Sequence, residues 1–435
     1  MRDSEFKLLG ARRFLPLFLT QFLGAFNDNL FKNALVILIT YRLASQSPVR
    51  PEIMVTFAAG FFILPFFLFS AIAGEMADKW EKSGLIRRIK VAEILIMTLG
   101  VAGLVAGDLW MLLAVLFLMG VQSTFFGPLK YGILPQHLNK AELVGGNGLI
   151  GAATFVAILL GTIVGGVMIL KTGGTPLVSA LLIACAVAGY AASRLIPDAP
   201  AGAPDIRPNF NILSGTVTLM REAATPALLP ATFGISWFWF LGATYLAQFP
   251  NMAKAVFNAN EDVVVFFLVT FVVGIAIGAL ASNLVVSRLV RTGMDGTRHV
   301  PLMAVALAAL SVEIWFTLSG LDRSETLIGL SAFLGTPMAW RLTADLFLLA
   351  VAGGLYVVPL YALLQVQSPA DRRARTIAAL NVMNALFMVL SALAGMAVFA
   401  AGYGVADLVA GAGVLGLGLA LYLRSRLKAD QALPE

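Results

Sequence analysis

Long, continuous apolar runs separated by short polar segments occupy most of the chain between residues 14 and 424. Apolar and polar residues do not alternate within these runs, as they would in the strands of a membrane β-barrel. Because about 20 helical residues cross the hydrocarbon core of a bilayer, the runs predict transmembrane helices. We expect twelve spans, at residues 14–41, 53–76, 89–107, 109–133, 146–170, 175–195, 226–250, 262–290, 300–319, 345–366, 376–400 and 403–424.

Two shorter segments interrupt this pattern. Residues 197–225 open with four prolines and predict a cytoplasmic linker between an N-terminal six-helix bundle, residues 1–196, and a C-terminal six-helix bundle, residues 226–435. In the linker, the apolar spacing from Phe210 to Arg221 predicts a helix that lies on the membrane surface. The segment from Leu327 to Trp340 is too short to span, and we expect it at the outer interface.

Composition supports the same class of protein. Hydrophobic residues make up 59% of the chain and charged residues only 12%, whereas soluble proteins have about 25% charged residues. The chain is therefore predicted to be an all-α integral membrane protein. No removable signal peptide is expected after Met1, because no short apolar core with a small-residue cleavage site follows. Cys185 is the single cysteine, which excludes an intramolecular disulfide and a Cys-rich metal site. We expect no cofactor.

Positive charge predicts the orientation of the spans. With both termini in the cytoplasm, the loops and span ends on that side contain twenty-two Lys and Arg residues, Lys90 among them, against six on the outer side. Cytoplasmic loops of membrane proteins carry such an excess. The formal charge of +6 is thus explained by topology and by anionic membrane lipids, and it gives no reason to expect nucleic acid as a partner.

The first span contains an acid and a base inside an otherwise apolar run. Asp28 lies near its middle, Lys32 follows four residues later on the same helical face, and Gln21 and Asn29 add polar groups. A charge at that depth costs roughly 2.5 to 3.5 kcal/mol, so these side chains should face protein or water. Two interpretations stay open: an ion pair that locks two helices together, or the polar wall of a substrate path.

The two halves of the chain resemble each other. Gly127-Pro128-Leu129-Lys130-Tyr131 in the fourth span has a counterpart in Val358-Pro359-Leu360-Tyr361-Ala362 in the tenth, and an asparagine, Asn147 or Asn381, opens the span that follows each. This repeat, together with six spans on each side of a linker, resembles the organisation of the major facilitator superfamily of transporters. Two six-helix pseudo-repeats are therefore expected.

The loop after the second span carries a second likeness to that superfamily. Gly74 and Asp78, followed by Lys79 and further basic residues, resemble its cytoplasmic signature. The resemblance implies that Asp78 caps or bridges neighbouring helix ends as a conformational latch. An ordinary basic cytoplasmic loop is the alternative interpretation.

A narrower resemblance concerns the substrate. Residues 21–29, Pro128 to Leu134, Asn147 to Ile150 and Val357 to Gln365 look like the lysophospholipid transporter family. The resemblance implies a flippase that moves lysophospholipids, such as lysophosphatidylethanolamine, across the bacterial inner membrane to the cytoplasmic leaflet by alternating access. It also implies a functional partner, an acyltransferase with an acyl carrier protein synthetase.

Members of this family use an acid of the first span and a lysine of the fourth in a polar cavity, which match Asp28 and Lys130. A basic residue expected in the seventh span is missing between Ser236 and Gln248. That absence leaves the headgroup contacts of the second half open.

The chemistry of a lysophospholipid fits the polar residues of the spans. Its phosphate needs a cation such as Lys130 or Lys32, an amine headgroup needs an anion such as Asp28, and its acyl chain needs an apolar wall. Uncharged groups are further candidates for hydrogen bonds to the substrate: Tyr131, Tyr245, Gln248, Tyr361 and Asn381. Ordinary helix packing is the alternative for each of them, and snorkelling to the headgroups is the alternative for Lys130.

Other classes of function are less well supported by the residues. The two histidines, His137 and His299, lie in separate predicted loops, and no Gly-rich Lys-Ser/Thr phosphate loop is present, so an enzyme or an ATP-driven pump is not expected. The alternative that stays open is a proton-coupled exporter of drugs or other amphiphilic small molecules with the same fold. In that case Asp28, Glu93 or Glu313 would bind the proton.

Overall fold

The computed structural model describes residues 5–39, 42, 51–319 and 327–427. Fourteen α-helices occur in these residues: α1 Leu15–Leu38, α2 Pro51–Lys79, α3 Lys82–Ala106, α4 Leu109–His137, α5 Leu143–Met168, α6 Gly174–Ser193, α7 Ile212–Ala223, α8 Leu229–Asn251, α9 Glu261–Arg291, α10 Val300–Ser319, α11 Leu330–Leu334, α12 Pro337–Gln367, α13 Arg373–Ala400 and α14 Val405–Arg426. The same residues contain no strand apart from an isolated bridge between Ala259 and Ile328.

Each of the twelve predicted spans corresponds to one long helix, so the all-helical membrane fold is confirmed. Ten of these helices are long and apolar enough to cross a bilayer within the described residues. The other two, α1 and α8, are of similar length, 24 and 23 residues, but are not among these ten. Arg2, Arg50, Arg323 and Lys428, which contribute to the predicted orientation, lie outside the described residues.

Helix ends differ from the predicted ones where side chains cap the backbone. α3 begins at Lys82 rather than at residue 89, because the Glu81 carboxylate accepts hydrogen bonds from the backbone N–H groups of Ser83, at 2.8 Å, and Gly84, at 2.5 Å. α3 ends at Ala106 and is followed by Gly107, whose positive φ of 64° suits glycine. Asp108 then caps α4 by accepting from the backbone N–H groups of Trp110 and Met111. The Glu81 cap thus extends α3 into the predicted loop, whereas α4 begins at the predicted residue.

The two shorter predicted segments have different outcomes. The linker contains α7, as predicted, although it begins at Ile212 rather than at Phe210. The segment from Leu327 to Trp340 is only partly separate, since α11 is followed at Pro337 by the first turn of α12. Proline suits the first turn of a helix, where its missing N–H would have no partner.

The first compact unit comprises residues 1–146, 156–225 and 368–382. In it α1 packs on α6, α3 packs on α4 and α6, and α2 packs on α4 and α7. Gly161 of α5 lies against the backbone of α1, where a Cβ atom would come within 2.5 Å of the Phe26 carbonyl oxygen. A small residue is needed for this approach, as in close helix pairs of membrane proteins.

The second compact unit comprises residues 147–155, 226–367 and 383–435. In it α12 packs on α8, α9 and α10, and α14 packs on α8 and α10. Of the candidate spans, α12 is the most buried. Gly274 of α9 permits a close approach to α12, since a Cβ atom there would lie 2.7 Å from the Phe347 carbonyl oxygen. α12 is therefore the centre of this unit.

Candidate functional site

Asp28 lies in the middle of α1 and is half-buried in the first unit. The hydroxyl group of Ser123, on α4, donates a hydrogen bond of 2.8 Å to its Oδ2 atom. A hydroxyl has one proton, so Ser123 can use only one acceptor at a time, and its second neighbour, the Gln122 Oε1 atom, is more distant at 3.3 Å. Ser123 thereby fixes the direction of the Asp28 carboxylate between α1 and α4.

Apart from the buried Lys90, two lysines lie within electrostatic range of Asp28. They are Lys32, on the next turn of α1, and Lys130, on α4. Each ammonium nitrogen also lies near an aromatic ring: Lys32 Nζ is 5.7 Å from the centroid of Phe62, and Lys130 Nζ is 4.6 Å from that of Tyr131. Cations are attracted to such ring faces. Both lysines are half-buried, and their ammonium groups have no hydrogen-bond acceptor in the part of the chain that the structure describes.

A buried ion pair lies beside this group and was not predicted from the sequence. The Lys90 ammonium nitrogen is 2.5 Å from Glu93 Oε2, and the two side chains are only 1% and 2% exposed. Gln122 donates to the same carboxylate oxygen at 2.9 Å, and Asn27 donates to Oε1 at 3.4 Å. Lys90 is therefore a buried residue inside α3, although the sequence analysis counts it among the cytoplasmic charges.

Two glycines leave room for the Lys90 side chain. A Cβ atom at Gly24 of α1 would lie 3.0 Å from Lys90 Nζ, and one at Gly189 of α6 would lie 3.0 Å from Lys90 Cε. The chain of contacts from Lys90 through Glu93, Gln122 and Ser123 to Asp28 links α3, α4 and α1. We call these five residues the buried polar network.

Three further predicted residues also belong to the first unit. Gln21 is buried on α1. Asn29 donates to the Ala25 carbonyl oxygen of its own helix at 2.8 Å, which turns the amide nitrogen toward the backbone. Asn381 of α13 lies against Gly127, where a Cβ atom would be 2.6 Å from its Nδ2 atom. This nitrogen is buried and has no hydrogen-bond partner among the described residues, so it is a free donor near α4.

The other three predicted residues lie in the second unit, where each has a local partner. Tyr245 is fully buried and donates to the Ser311 hydroxyl at 2.9 Å, which links α8 to α10. Tyr361 accepts from Trp239 Nε1 at 3.2 Å, and Gln248 accepts from Asn251 at 2.8 Å. These contacts are typical of helix packing. Their role in substrate binding stays a prediction.

The asparagines of the internal repeat lie at tight helix contacts. Asn147 and Gln365 exchange two side-chain hydrogen bonds, of 2.7 and 3.1 Å, in the second unit. Asn381 lies against Gly127 in the first unit. Each asparagine thus contacts a residue of the helix that carries a Pro-Leu motif, since Gly127 belongs to α4 and Gln365 to α12.

Asp78 caps the first turn of α13. Its carboxylate accepts from the backbone N–H groups of Ala374, at 3.0 Å, and Arg375, at 3.1 Å, and from Arg375 Nε at 3.2 Å. Gly74, one turn earlier on α2, permits this contact, because a Cβ atom there would lie 2.6 Å from Ala378 Cβ. Arg375 also donates to Glu222 of α7 at 2.9 Å. The predicted latch residues therefore join α2, α7 and the start of α13.

The linker runs along the same end of the first unit. Glu81 accepts from the backbone N–H of Ala199 at 2.8 Å, and Lys79 donates to the Ile206 carbonyl oxygen at 2.7 Å. Burial alone would raise the pKa of Glu81, but its hydrogen bonds from Ala199, Gly84 and Ser83 favour the carboxylate, and the net pKa is lowered. The α2–α3 loop thereby holds the linker in place.

This arrangement can bind and orient charged groups. It brings Asp28, Lys32 and Lys130 into one half-buried region with opposite charges on neighbouring helices. Such a region suits a ligand that carries both a positive and a negative group. Within the described part of the chain, no group of three or more His, Cys, Asp or Glu side chains is arranged to hold a metal ion.

Comparison with known proteins extends these observations. The family model described as Major Facilitator Superfamily matches residues 17–392. Among curated proteins, the lysophospholipid transporter LplT of Serratia proteamaculans (strain 568) is 28% identical over 368 residues, which cover 82% of this chain and 80% of that protein.

Solved structures give the same fold. The human organic anion transporter MFSD10 (TETRAN) superposes with a TM-score of 0.70 at 14% identity, covering 95% of this chain and 99% of that one. The E. coli fucose:proton symporter FucP superposes with a TM-score of 0.67 at 12% identity, covering 95% and 98%.

Proposed function

Because the chain belongs to the Major Facilitator Superfamily of membrane transporters, we propose that it carries lysophospholipids, such as lysophosphatidylethanolamine, across the bacterial inner membrane to the cytoplasmic leaflet. The observation that carries the proposal is the placement of Asp28, Lys32 and Lys130 in one half-buried region of the first unit. The similarity to the Serratia lysophospholipid transporter over most of both chains supports it.

The headgroup of the substrate is assigned by charge. Lys130 and Lys32 bind the phosphate, since an ammonium group makes short, charge-assisted hydrogen bonds to phosphate oxygens. Asp28, directed by Ser123, accepts hydrogen bonds from the ammonium of an ethanolamine headgroup. Asn381 Nδ2 is a further donor toward the phosphate, because it is buried and has no partner among the described residues.

The contact between Asp78 and α13 acts as the conformational latch in this proposal. Alternating access requires that helix ends on one side of the membrane contact each other in one state and separate in the other. A capped helix terminus, with an ion pair to Arg375, is such a junction. The two hydrogen bonds from backbone N–H groups to Asp78 can form only in the state in which the start of α13 packs against α2.

Orientation and partners complete the proposal. Both termini lie in the cytoplasm, because this side then carries most of the Lys and Arg residues. A lysophospholipid delivered to the cytoplasmic leaflet needs a second acyl chain before it is again a bilayer lipid. We therefore place an acyltransferase with an acyl carrier protein synthetase as the functional partner.

The proposal is tested by uptake of labelled lysophosphatidylethanolamine into spheroplasts that lack their own transporter. The parent chain should give saturable uptake and conversion to diacyl lipid, and the empty vector should not. An absence of uptake at matched expression would contradict the lipid substrate.

A second candidate function is supported by the buried polar network. Asp28 and Glu93 are carboxylates inside a membrane protein, linked through Gln122 and Ser123, and a proton-coupled exporter of amphiphilic molecules needs such a site. Dissipating the proton gradient discriminates the two functions. Export of an amphiphilic dye that collapses with the gradient, without lipid uptake, would favour this candidate.

A further inference from the structure

A groove lies between α10 and α14 in the second unit. The two helices run antiparallel, since Trp315 Nε1 near the end of α10 donates to Asp407 near the start of α14 at 3.1 Å. They approach closely at Gly413, where a Cβ atom would lie 2.7 Å from Ser311 Cβ. Beyond this contact, toward the start of α10, the groove opens with a volume of about 850 Å3.

The inner part of the groove is apolar and faces outward. Its walls include Leu302 and Val305 of α10 and Leu417 and Leu421 of α14. These side chains are 62%, 42%, 42% and 68% exposed, respectively. In a membrane-spanning chain, exposed aliphatic side chains within the span face lipid hydrocarbon. This part of the groove therefore suits an acyl chain.

The other end of the groove is positively charged. Arg298, just before α10, and Arg424, in the last turn of α14, both line it and are exposed. Within the described residues neither guanidinium has a hydrogen-bond or ion-pair partner. Asp295, which also lines the groove, accepts from the Thr297 backbone N–H at 3.0 Å and from its hydroxyl at 2.6 Å. The carboxylate is thus already hydrogen-bonded but keeps its charge, so two arginines and one aspartate leave this end with a formal net positive charge.

We propose that this groove binds an anionic phospholipid of the cytoplasmic leaflet, with its phosphate between Arg298 and Arg424 and an acyl chain along Leu302, Val305, Leu417 and Leu421. Basic pockets between transmembrane helices on this side of the membrane bind anionic headgroups. Guanidinium groups suit phosphate because they donate two parallel hydrogen bonds. The seven-residue separation between Leu417 and Arg424 corresponds to about 10 Å of helix, which lies within the roughly 15 Å of one hydrocarbon leaflet.

A lipid explains the groove better than a soluble anion. A soluble anion would need only the arginines, whereas the groove also presents aliphatic side chains over about one turn of each helix, from Leu302 to Val305 and from Leu417 to Leu421. The site is separate from the proposed transport site, since Asp28, Lys32, Lys130 and Asn381 are not among its lining residues. Binding of a lipid here therefore does not depend on whether the transported substrate is a lysophospholipid.

Native mass spectrometry of the purified full chain tests the proposal directly. When phosphatidylglycerol and phosphatidylethanolamine of equal chain length are both present, the parent should retain phosphatidylglycerol in preference to phosphatidylethanolamine. Arg298→Gln and Arg424→Gln should each lower its apparent affinity about five-fold, given the roughly 1 kcal/mol that each basic residue contributes near a membrane surface. Arg291→Gln, which removes an exposed arginine outside the groove, is the matched control and should leave the affinity unchanged. Equal losses in all three variants would overturn the assignment.

A second variant separates lipid from free anion. Val305→Trp fills the apolar part of the groove and keeps both arginines, so it should remove the phosphatidylglycerol adduct. Soluble glycerol phosphate should compete only weakly with the lipid for the parent chain. Retention of the adduct in Val305→Trp, or full displacement by glycerol phosphate, would show that no acyl chain occupies the groove and would contradict the proposal. Neither result depends on transport.

Discussion

The Lys90 ammonium group lies 2.5 Å from the Glu93 carboxylate, and both side chains are almost completely buried in the first unit. Removing one partner of such a pair leaves an isolated buried charge, which costs about 3 to 5 kcal/mol, whereas removing both is often nearly neutral. The pair is also bonded to Gln122 and Asn27. It therefore forms a rigid polar support beside Asp28.

The Lys90–Glu93 pair leads to a prediction about stability. Lys90→Met and Glu93→Gln should each lower the unfolding temperature of the detergent-solubilised protein, because each leaves one charge without its partner. The double variant should recover most of the loss. A double variant that loses the sum of the two single effects would show that the residues contribute independently and that the pair has no special role.

Ser123 leads to a prediction about substrate affinity. Ser123→Ala removes the 2.8 Å hydrogen bond to Asp28, so the carboxylate loses its fixed direction. A hydrogen bond to a charged group contributes about 1.5 to 3 kcal/mol, and we expect a rise in KM for lysophosphatidylethanolamine of roughly ten- to a hundredfold. Ser123→Thr keeps the hydroxyl and is the control. If both variants transport alike, Ser123 has no positioning role.

Gly74 leads to a prediction about the latch. Gly74→Ala places a Cβ atom 2.6 Å from Ala378 Cβ and 3.0 Å from Arg375 Cα, and this overpacking should cost about 1 to 3 kcal/mol in the state with α2 beside α13. We expect a lower transport rate with substrate binding retained, measured by uptake and by equilibrium binding. Gly60→Ala on the same helix has nothing within 4 Å of the new Cβ atom and should behave as the parent. A normal rate in Gly74→Ala would contradict the latch.

Glu81 leads to a prediction about pH. Its hydrogen bonds from Ala199, Gly84 and Ser83 lower its pKa in the folded protein despite burial. Glu81 therefore binds a proton less readily in the folded state than in the unfolded state. Its stabilisation of the folded state is complete above the ordinary pKa of 4.5. It is lost as pH falls from that value through the lower folded pKa. Unfolding temperatures measured from pH 7 downward should fall less steeply for Glu81→Gln than for the parent, and parallel curves would contradict the prediction.

The sequence predicts the fold well because the relevant signals are local. Long apolar runs determine the helices, and the polar residues of α1 stand out within one run. Helix ends are less predictable, since the start of α3 depends on the Glu81 cap and the start of α12 on Pro337. These residues act through backbone geometry that hydropathy does not describe.

The candidate site is predicted only in part because much of it depends on distant residues. Lys90 lies close to one end of a span and resembles an ordinary loop charge. Its burial depends on Gly24 and Gly189, which belong to two other helices. In the same way, the partner of Tyr245 is Ser311, 66 residues later in the chain. Such pairings become visible only after the helices have packed.

In the proposed function, Asp28 and Lys130 form the polar part of a lysophospholipid path. The most direct test measures uptake of labelled lysophosphatidylethanolamine into proteoliposomes containing the parent, Asp28→Asn or Lys130→Gln, with Lys140→Gln, an exposed lysine in the loop after α4, as the charge-matched control. We expect saturable uptake by the parent and by the control, and a loss of at least tenfold in both site variants, because each variant removes a charge that binds one end of the headgroup. Undiminished uptake in Asp28→Asn and Lys130→Gln would contradict the proposed function.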